Sequence, residues 1–290
     1  MSKNIEKYDF KEGLSQGLEV LSISDLYKNF YTEITTPHRL EFYQIIWFQE
    51  GTSNHWVDFN SIKIKPNTLL FLNKNSVQRF DATENHRGKA ILFTEDFLCK
   101  TTADTQFLKS SILFYDLLSI PQVEVKEIQA KFEKNIEDIE VEISCKKDNF
   151  QEDILRNLLL NFLLLAERER RNQTFIELKK DTNLNNILEF KELLEEHFIQ
   201  HKQVSFYCDK MHITPKKLNL ATTKILDKTP KNIINDRVLL EAKRLLVHSA
   251  KNIKEISYTL GFEEPTNFIK YFKNQLKKTP LEFREETLLA

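Results

Sequence analysis

Eight polar side chains in the last third of the 290-residue chain form two sets suited to nucleic-acid chemistry. One set is Lys216, Lys217, Asn219 and Lys224. The other is Thr266, Asn267, Lys270 and Lys273. Lysine is a flexible point charge that suits phosphate oxygens. Asn219 and Asn267 each carry an amide donor beside an acceptor, which matches the edge that adenine shows in a major groove. Thr266 can bond a phosphate or pack on a thymine methyl group. Lysine-rich runs also occur on ordinary solvated helices. The sets therefore acquire meaning only through the elements that carry them.

Those elements read as two helix-turn-helix patterns. In the second, residues 253–262 form a short amphipathic helix closing at Gly261. A residue without Cβ suits the left-handed position that ends a helix. Pro265 then restarts the chain, since a proline in the first turn costs no hydrogen bond. A second helix follows over residues 266–273, with Phe268 and Phe272, four apart, on its core side. In the first pattern, residues 204–211 lead, 212–215 turn, and 216–225 form the second helix. Between the patterns, apolar residues at 234, 238, 242, 245 and 246 predict one rigid connecting helix over 233–247. Two short helices across a tight turn are the form that lays its second helix in a major groove.

Residues 198–284 resemble the DNA-binding domain of the AraC/XylS family of bacterial transcription regulators. The matching words, in order, are Arg237, Ala242-Lys243-Arg244-Leu245-Leu246, Ile253, Glu255-Ile256, Leu260-Gly261-Phe262, Asn267-Phe268, Phe272-Lys273, Thr279-Pro280 and Phe283-Arg284. The resemblance implies seven helices, with two recognition helices entering successive major grooves on one face of promoter DNA. A transcription regulator working with RNA polymerase is expected, an activator or a repressor; the residues leave that choice open. This chain departs from the pattern in places. Cys208 and Ser257 stand where alanine is usual, and Asp227 and Lys277 where glycine is common. Leu220 stands near a position that is commonly basic, which shifts the expected base reading toward the second pattern.

Charge agrees once the chain is divided. Residues 202–284 hold 17 Lys and Arg against 8 Asp and Glu, a balance of +9. The remainder holds 25 basic against 35 acidic residues, a balance of −10. A basic module joined to an acidic one fits a DNA-binding domain beside a domain that avoids DNA.

From residue 41 to 93 the chain reads as short apolar runs separated by turn residues, which indicates a sandwich or barrel. The words Pro66-Asn67-Thr68-Leu69-Leu70-Phe71-Leu72 and Phe93-Thr94-Glu95-Asp96-Phe97-Leu98 are similar to the cupin-like barrel that commonly precedes an AraC-type domain. Such barrels can enclose a small molecule. The candidate lining residues are His38, Trp47, His55, Phe59, Phe71, Gln78 and Phe80. His38, His55 and Gln78 are the better pocket candidates, because a buried polar group needs a partner. Trp47 and Phe71 fit an ordinary core better than a ligand contact. His38, His55 and His86 show no His-x-His pair, so neither a metal nor another cofactor is expected.

Residues 150–170 form a helix apolar around most of its circumference, which must be buried on more than one side. One face can pack on the barrel; the other fits either a second protomer or further intrachain burial. Polar residues 179–186 read as the interdomain linker, and 187–200 as the next helix. Cys99, Cys145 and Cys208 have no paired spacing, as in a reducing compartment. The first residues are polar, without a signal-peptide apolar region, and no membrane span is evident. A cytoplasmic location is therefore expected.

The expected fold is α+β: a cupin-like β-barrel with flanking helices, then an all-α domain with two helix-turn-helix motifs. Domains are expected at 1–148 (sensing), 149–180 (helical dimerisation and linker) and 181–290 (DNA-binding). An enzyme is not expected, since no nucleophile–base set or metal cluster is visible. The DNA alkyl-transfer repair proteins that carry AraC-type domains use reactive cysteines in a zinc module, and Cys99 and Cys145 lack that pattern. The reading is a homodimeric regulator that binds double-stranded promoter DNA under control of a small-molecule effector. The alternative is control by a protein partner or by dimerisation without a ligand.

Overall fold

A computed structural model describes residues 6–8, 17–74, 76–83, 86–114, 121–173 and 182–289. The described chain divides into two compact units, 6–173 and 182–289. The first unit holds the strands β1 (Glu6–Tyr8), β2 (Leu18–Ser22), β3 (His38–Leu40), β4 (Tyr43–Glu50), β5 (Ser53–Val57), β6 (Asn60–Ile64), β7 (Thr68–Leu72), β8 (Val77–Arg79), β9 (Arg87–Phe93) and β10 (Gln122–Glu124). Its helices are α1 (Ile23–Thr35), α2 (Glu95–Leu98), α3 (Thr102–Ser110), α4 (Gln129–Ser144) and α5 (Gln151–Gln173). The second unit holds α6 (Thr182–His197), α7 (Val204–Lys210), α8 (Pro215–Leu226), α9 (Pro230–His248), α10 (Ile253–Thr259), α11 (Pro265–Leu276) and α12 (Pro280–Leu289). These are seven described helices, as the family resemblance implied.

The strands form two sheets, ordered β1-β3-β8-β5-β6 and β10-β7-β4-β9-β2. In the second sheet, β4 runs antiparallel between β7 and β9, with Ile46 opposite Leu70 on one side and Ala90 on the other. Strand alternation sends neighbouring residues to opposite faces. Ile46, Phe48, Leu70, Leu72 and Ala90 face inward and pack with Val57, Ile62, Ile64 and Phe80 of the first sheet. Ile23, Leu26 and Tyr27 of α1 join the same core. On the opposite face, Tyr43, Ile45, Trp47, Leu69, Phe71, Ile91 and Phe93 pack with Phe132 and Ile136 of α4 and with Leu155, Leu159 and Phe162 of α5.

Helix α5 is thus part of the first unit, with one face against the sheet. Phe132 and Phe162 meet edge to face at 4.8 Å between ring centroids. Its other face leaves Ile154 and Leu164 exposed, with Phe150 just ahead of it. Burial on several sides, which its composition suggested, is only half realised within this chain. Helix α6 begins at Thr182, so residues 182–186 are helical and not linker. Asn186 is buried beside Ile187, Phe190 and Leu194, and that packing overrides the turn preference of the polar run. Residues 179–181 of the expected linker lie outside the described residues. Among the described residues, no helix is long and apolar enough to cross a membrane.

Candidate nucleic-acid interface and barrel interior

In the first helix-turn-helix, Tyr207 and Cys208 bury α7 against the unit's core. The Tyr207 hydroxyl donates to the His201 carbonyl at 2.7 Å, and burial pushes its pKa up to about 12. The turn closes when the Ile213 N–H donates to the Cys208 carbonyl at 3.0 Å, with His212 in the left-handed region at φ 52°. Thr214 caps α8 by accepting from the Lys217 N–H at 3.3 Å, and Pro215 occupies its first turn. Leu218, Ala221, Thr222 and Leu226 face inward. The opposite face exposes Lys216, Lys217, Asn219, Leu220 and Lys224.

The second motif starts from a capping box. Asn252 accepts from the Glu255 N–H at 2.9 Å, and Glu255 accepts from the Asn252 N–H at 2.7 Å. Gly261 then turns the chain at φ +71°. A Cβ there would lie 2.2 Å from the Ile199 carbonyl oxygen, so the position excludes side chains on two grounds. Lys202 crosses this turn, donating to the Ile199 carbonyl at 2.6 Å and the Gly261 carbonyl at 3.4 Å. Burial, helped by Lys231, lowers its pKa to about 8. Phe268 and Phe272 anchor α11 inward, and the Tyr271 hydroxyl donates to the Asn235 carbonyl of α9 at 2.9 Å. Thr266, Asn267, Lys270 and Lys273 lie on the exposed side. All eight sequence-predicted DNA residues are therefore exposed on the two second helices. Cys208 and Ser257 are buried, as small residues in an alanine's place should be. The Ser257 hydroxyl donates to the Lys254 carbonyl at 2.9 Å.

The two second helices superpose in sequence at an interval of fifty residues. Pro215 and Pro265 each begin a helix, and Asp227 and Lys277 each end one in the left-handed conformation. Lys228–Asp236 and Lys278–Glu286 repeat the same ion pair. Helix α9 joins the copies. Its Arg237 bonds Glu195 of α6 at 2.8 and 2.9 Å, lies 3.9 Å over the Phe198 ring and meets Glu241 at 3.3 Å.

Inside the first unit, the polar groups pair with one another. His55 Nε2 lies 3.0 Å from Gln78 Oε1, and the Gln78 amide donates to Gln44 Oε1. His38 sits opposite Gln78 in the β3–β8 pair, with its Nδ1 3.0 Å from the Thr36 carbonyl. The His86 ring lies 4.6 Å from Phe48. Burial lowers the pKa of all three histidines, that of His55 to about 3, so they are neutral at pH 7. His55 Nδ1 is buried without a hydrogen-bond partner among the described residues. No group of three His, Cys, Asp or Glu that could hold a metal occurs among the described residues.

The seven residues expected to line one pocket separate into three places. His38, His55, Gln78 and Phe80 are buried among the inward-facing residues. Trp47 and Phe71 are on the far face of the second sheet, against the helices, because their strand positions share parity with Tyr43 and Leu69. Phe59 lies in the β5–β6 turn and is 38% exposed. Sequence reasoning missed Gln44 as a member of the polar cluster. Its signal was an amide set between Tyr43 and the apolar run Ile45-Ile46-Trp47-Phe48, where a buried polar group must find a partner.

Two family models match this chain. A helix-turn-helix domain model covers residues 207–286, and an AraC-like ligand binding domain model covers residues 23–163. The chain is 20% identical over 259 residues to the HTH-type transcriptional activator RhaS of Enterobacter sp. (strain 638), covering 86% of this chain and 87% of that protein. It is 21% identical over 258 residues to RhaS of Escherichia coli O1:K1 / APEC, with the same coverage. Among solved structures, ToxT from Vibrio cholerae aligns at a TM-score of 0.45 and 14% identity, over 92% of this chain and 97% of that one.

Proposed function

The chain belongs to the AraC/XylS family of transcription regulators, non-enzymatic DNA-binding proteins, and from that premise we propose how its parts divide the work. Helices α8 and α11 enter successive major grooves of promoter DNA. Lys216, Lys217, Lys224, Lys270 and Lys273 contact phosphates, Asn219 and Asn267 read adenines, and Thr266 contacts a phosphate or a thymine methyl. The protein activates transcription together with RNA polymerase. The observation that carries this reading is the exposure of polar and basic side chains on two helices whose ends correspond fifty residues apart. The test is binding of the full chain to fragments from around its own gene and to random duplex, at several salt concentrations. Tight, salt-dependent preference for one fragment supports the reading. Failure of a random-library selection to enrich any sequence overturns it.

The first unit holds a small-molecule effector against His38, His55 and Gln78. Support comes from the unpartnered Nδ1 of His55 beside polar groups that are neutral at pH 7. A neutral ligand carrying hydroxyl or amide groups suits such a site better than an anion. Such a ligand raises the melting temperature of the wild type, because binding the folded state stabilises it. The shift should vanish in His55→Leu.

The chain works as a homodimer through α5. Support comes from the exposed row of Phe150, Ile154, Asn157, Asn161 and Leu164, spaced alternately by four and three residues. That spacing suits a helix–helix seam. A Leu164→Glu chain that sediments as monomer at concentrations where the wild type is dimeric supports this; equal sedimentation removes it. The second reading is control by dimerisation or a protein partner without a ligand. It is favoured by the Gln44–Gln78–His55 chain, whose members largely satisfy one another.

A further inference from the structure

One residue on the first recognition helix does not fit the phosphate-and-amide chemistry of its neighbours. Leu220 is 61% exposed, although leucine is mostly buried. A lone exposed leucine on an arbitrary surface needs no explanation. This one sits in the middle of the face that α8 turns away from the core, with Lys216 and Lys217 one turn before it and Thr223 and Lys224 one turn after. The fifty-residue correspondence puts it at the position that Lys270 holds on α11. Nothing in the fold requires an apolar group there, because Leu218, Ala221 and Leu226 already supply the buried side of the helix.

The polar alternatives on this face are few. Thr222 is buried, and the exposed Thr223 donates its hydroxyl to the Asn219 carbonyl, which commits it to the helix itself. The Asn219 amide is left as the group suited to a base edge, flanked by lysines that suit phosphates. An aliphatic side chain pointed at a major groove meets one apolar base feature, the C5 methyl of thymine.

We propose that Leu220 is a specificity residue, selecting thymine in one half-site through its methyl group, where the second half-site is read by polar groups. This rests on the assignment of α8 as a DNA-facing helix. The two motifs then use different chemistries. α8 is anchored by three lysines, Lys216, Lys217 and Lys224, around an apolar reader beside Asn219, and α11 reads with amide and hydroxyl groups flanked by lysine.

The test uses the full chain and a fragment enriched by selection. Each thymine of the bound site is replaced in turn by deoxyuridine, which removes only the C5 methyl and leaves every hydrogen-bonding group. The wild type should lose about fourfold in affinity at one or two positions of a single half-site, the worth of one methyl withdrawn from an apolar contact. Leu220→Ala should bind the thymine site about as weakly as the wild type binds the substituted one, and should no longer distinguish thymine from uracil there. Its melting temperature should be unchanged, since the side chain is exposed. Tight wild-type binding that ignores every uracil substitution overturns the proposal and leaves the DNA-binding reading intact. So does discrimination that persists in Leu220→Ala. A Leu220→Ala chain that binds DNA like the wild type but no longer activates transcription assigns Leu220 to a protein contact, and also overturns it. Absence of any enriched sequence removes the underlying reading, and the proposal with it.

Discussion

The two helix-turn-helix copies keep the same frame and differ in what they hang on it. Both place a proline at the start of the second helix and a left-handed residue at its end. The first turn runs from Met211 to Thr214, closes on His212 and is capped by a threonine hydroxyl. The second is one residue longer, closes on Gly261, and its Glu264 makes no side-chain cap bond. The reading faces differ more. Lys216 and Lys217 of the first stand where Thr266 and Asn267 stand in the second, and Leu220 stands where Lys270 does. The frame is constrained by backbone geometry and core packing. The exposed positions are free of both, so they can diverge toward different base sequences without changing the fold.

Substitutions can break that comparison or sharpen it. The largest effect is expected at Gly261, whose place the first copy fills with His212. Gly261→Ala combines a left-handed conformation with a collision at the Ile199 carbonyl, and should cost about 2 kcal/mol or more of stability. Denaturant unfolding would measure it; an unchanged midpoint would mean that the two turns are equally permissive. Next comes charge. Lys270→Ala should weaken binding to all sequences and flatten the slope of log K against log salt by roughly 0.9, the share of one phosphate contact. Leu220→Ala should leave that slope alone. If both slopes stay the same, Lys270 does not touch phosphate, and the two faces are more alike than their sequences. The smallest effect concerns the helix ends. Lys277→Gly should stabilise by roughly 1 kcal/mol, because a lysine at φ 61° is strained, and Asp227→Gly should gain less. Thermal melts of the two variants would rank them; equal shifts would remove the distinction between the caps.

Much of this was legible in the sequence, for identifiable reasons. Gly261, Pro215 and Pro265 punctuate the second unit at places where few other residues fit, and the apolar spacing around Phe268 and Phe272 is that of a helix. The barrel was harder. From Tyr43 to Phe48 the strand β4 is buried on both faces, so no alternation of polar and apolar residues says which side a residue takes. Trp47 and Phe71 therefore stood among the pocket candidates although they fit an ordinary core better, and they belong to the helix-covered core. Phe59 follows Asp58, whose positive φ makes a turn that the strand pattern did not reveal. The helices α1 and α4 went unread: α1 opens on Ser22 with Asp25 in its first turn, whereas α4 opens on Ile128, whose side chain cannot cap it. Of the barrel cluster, His38, His55 and Gln78 were visible as polar residues within the strand region, while Gln44 was overlooked at the edge of the apolar run Ile45–Phe48.

Helix α9 has one more consequence. Its 19 residues span about 28 Å, and its flanks hold Glu195 and Tyr271, one from each side of the repeat. On the proposed reading, this strut fixes the spacing of the two helices that meet DNA. An operator read in that way would be defined as much by its phase as by its letters. Half a helical turn of extra spacer would leave both half-sites intact in sequence and carry one of them to the far side of the duplex.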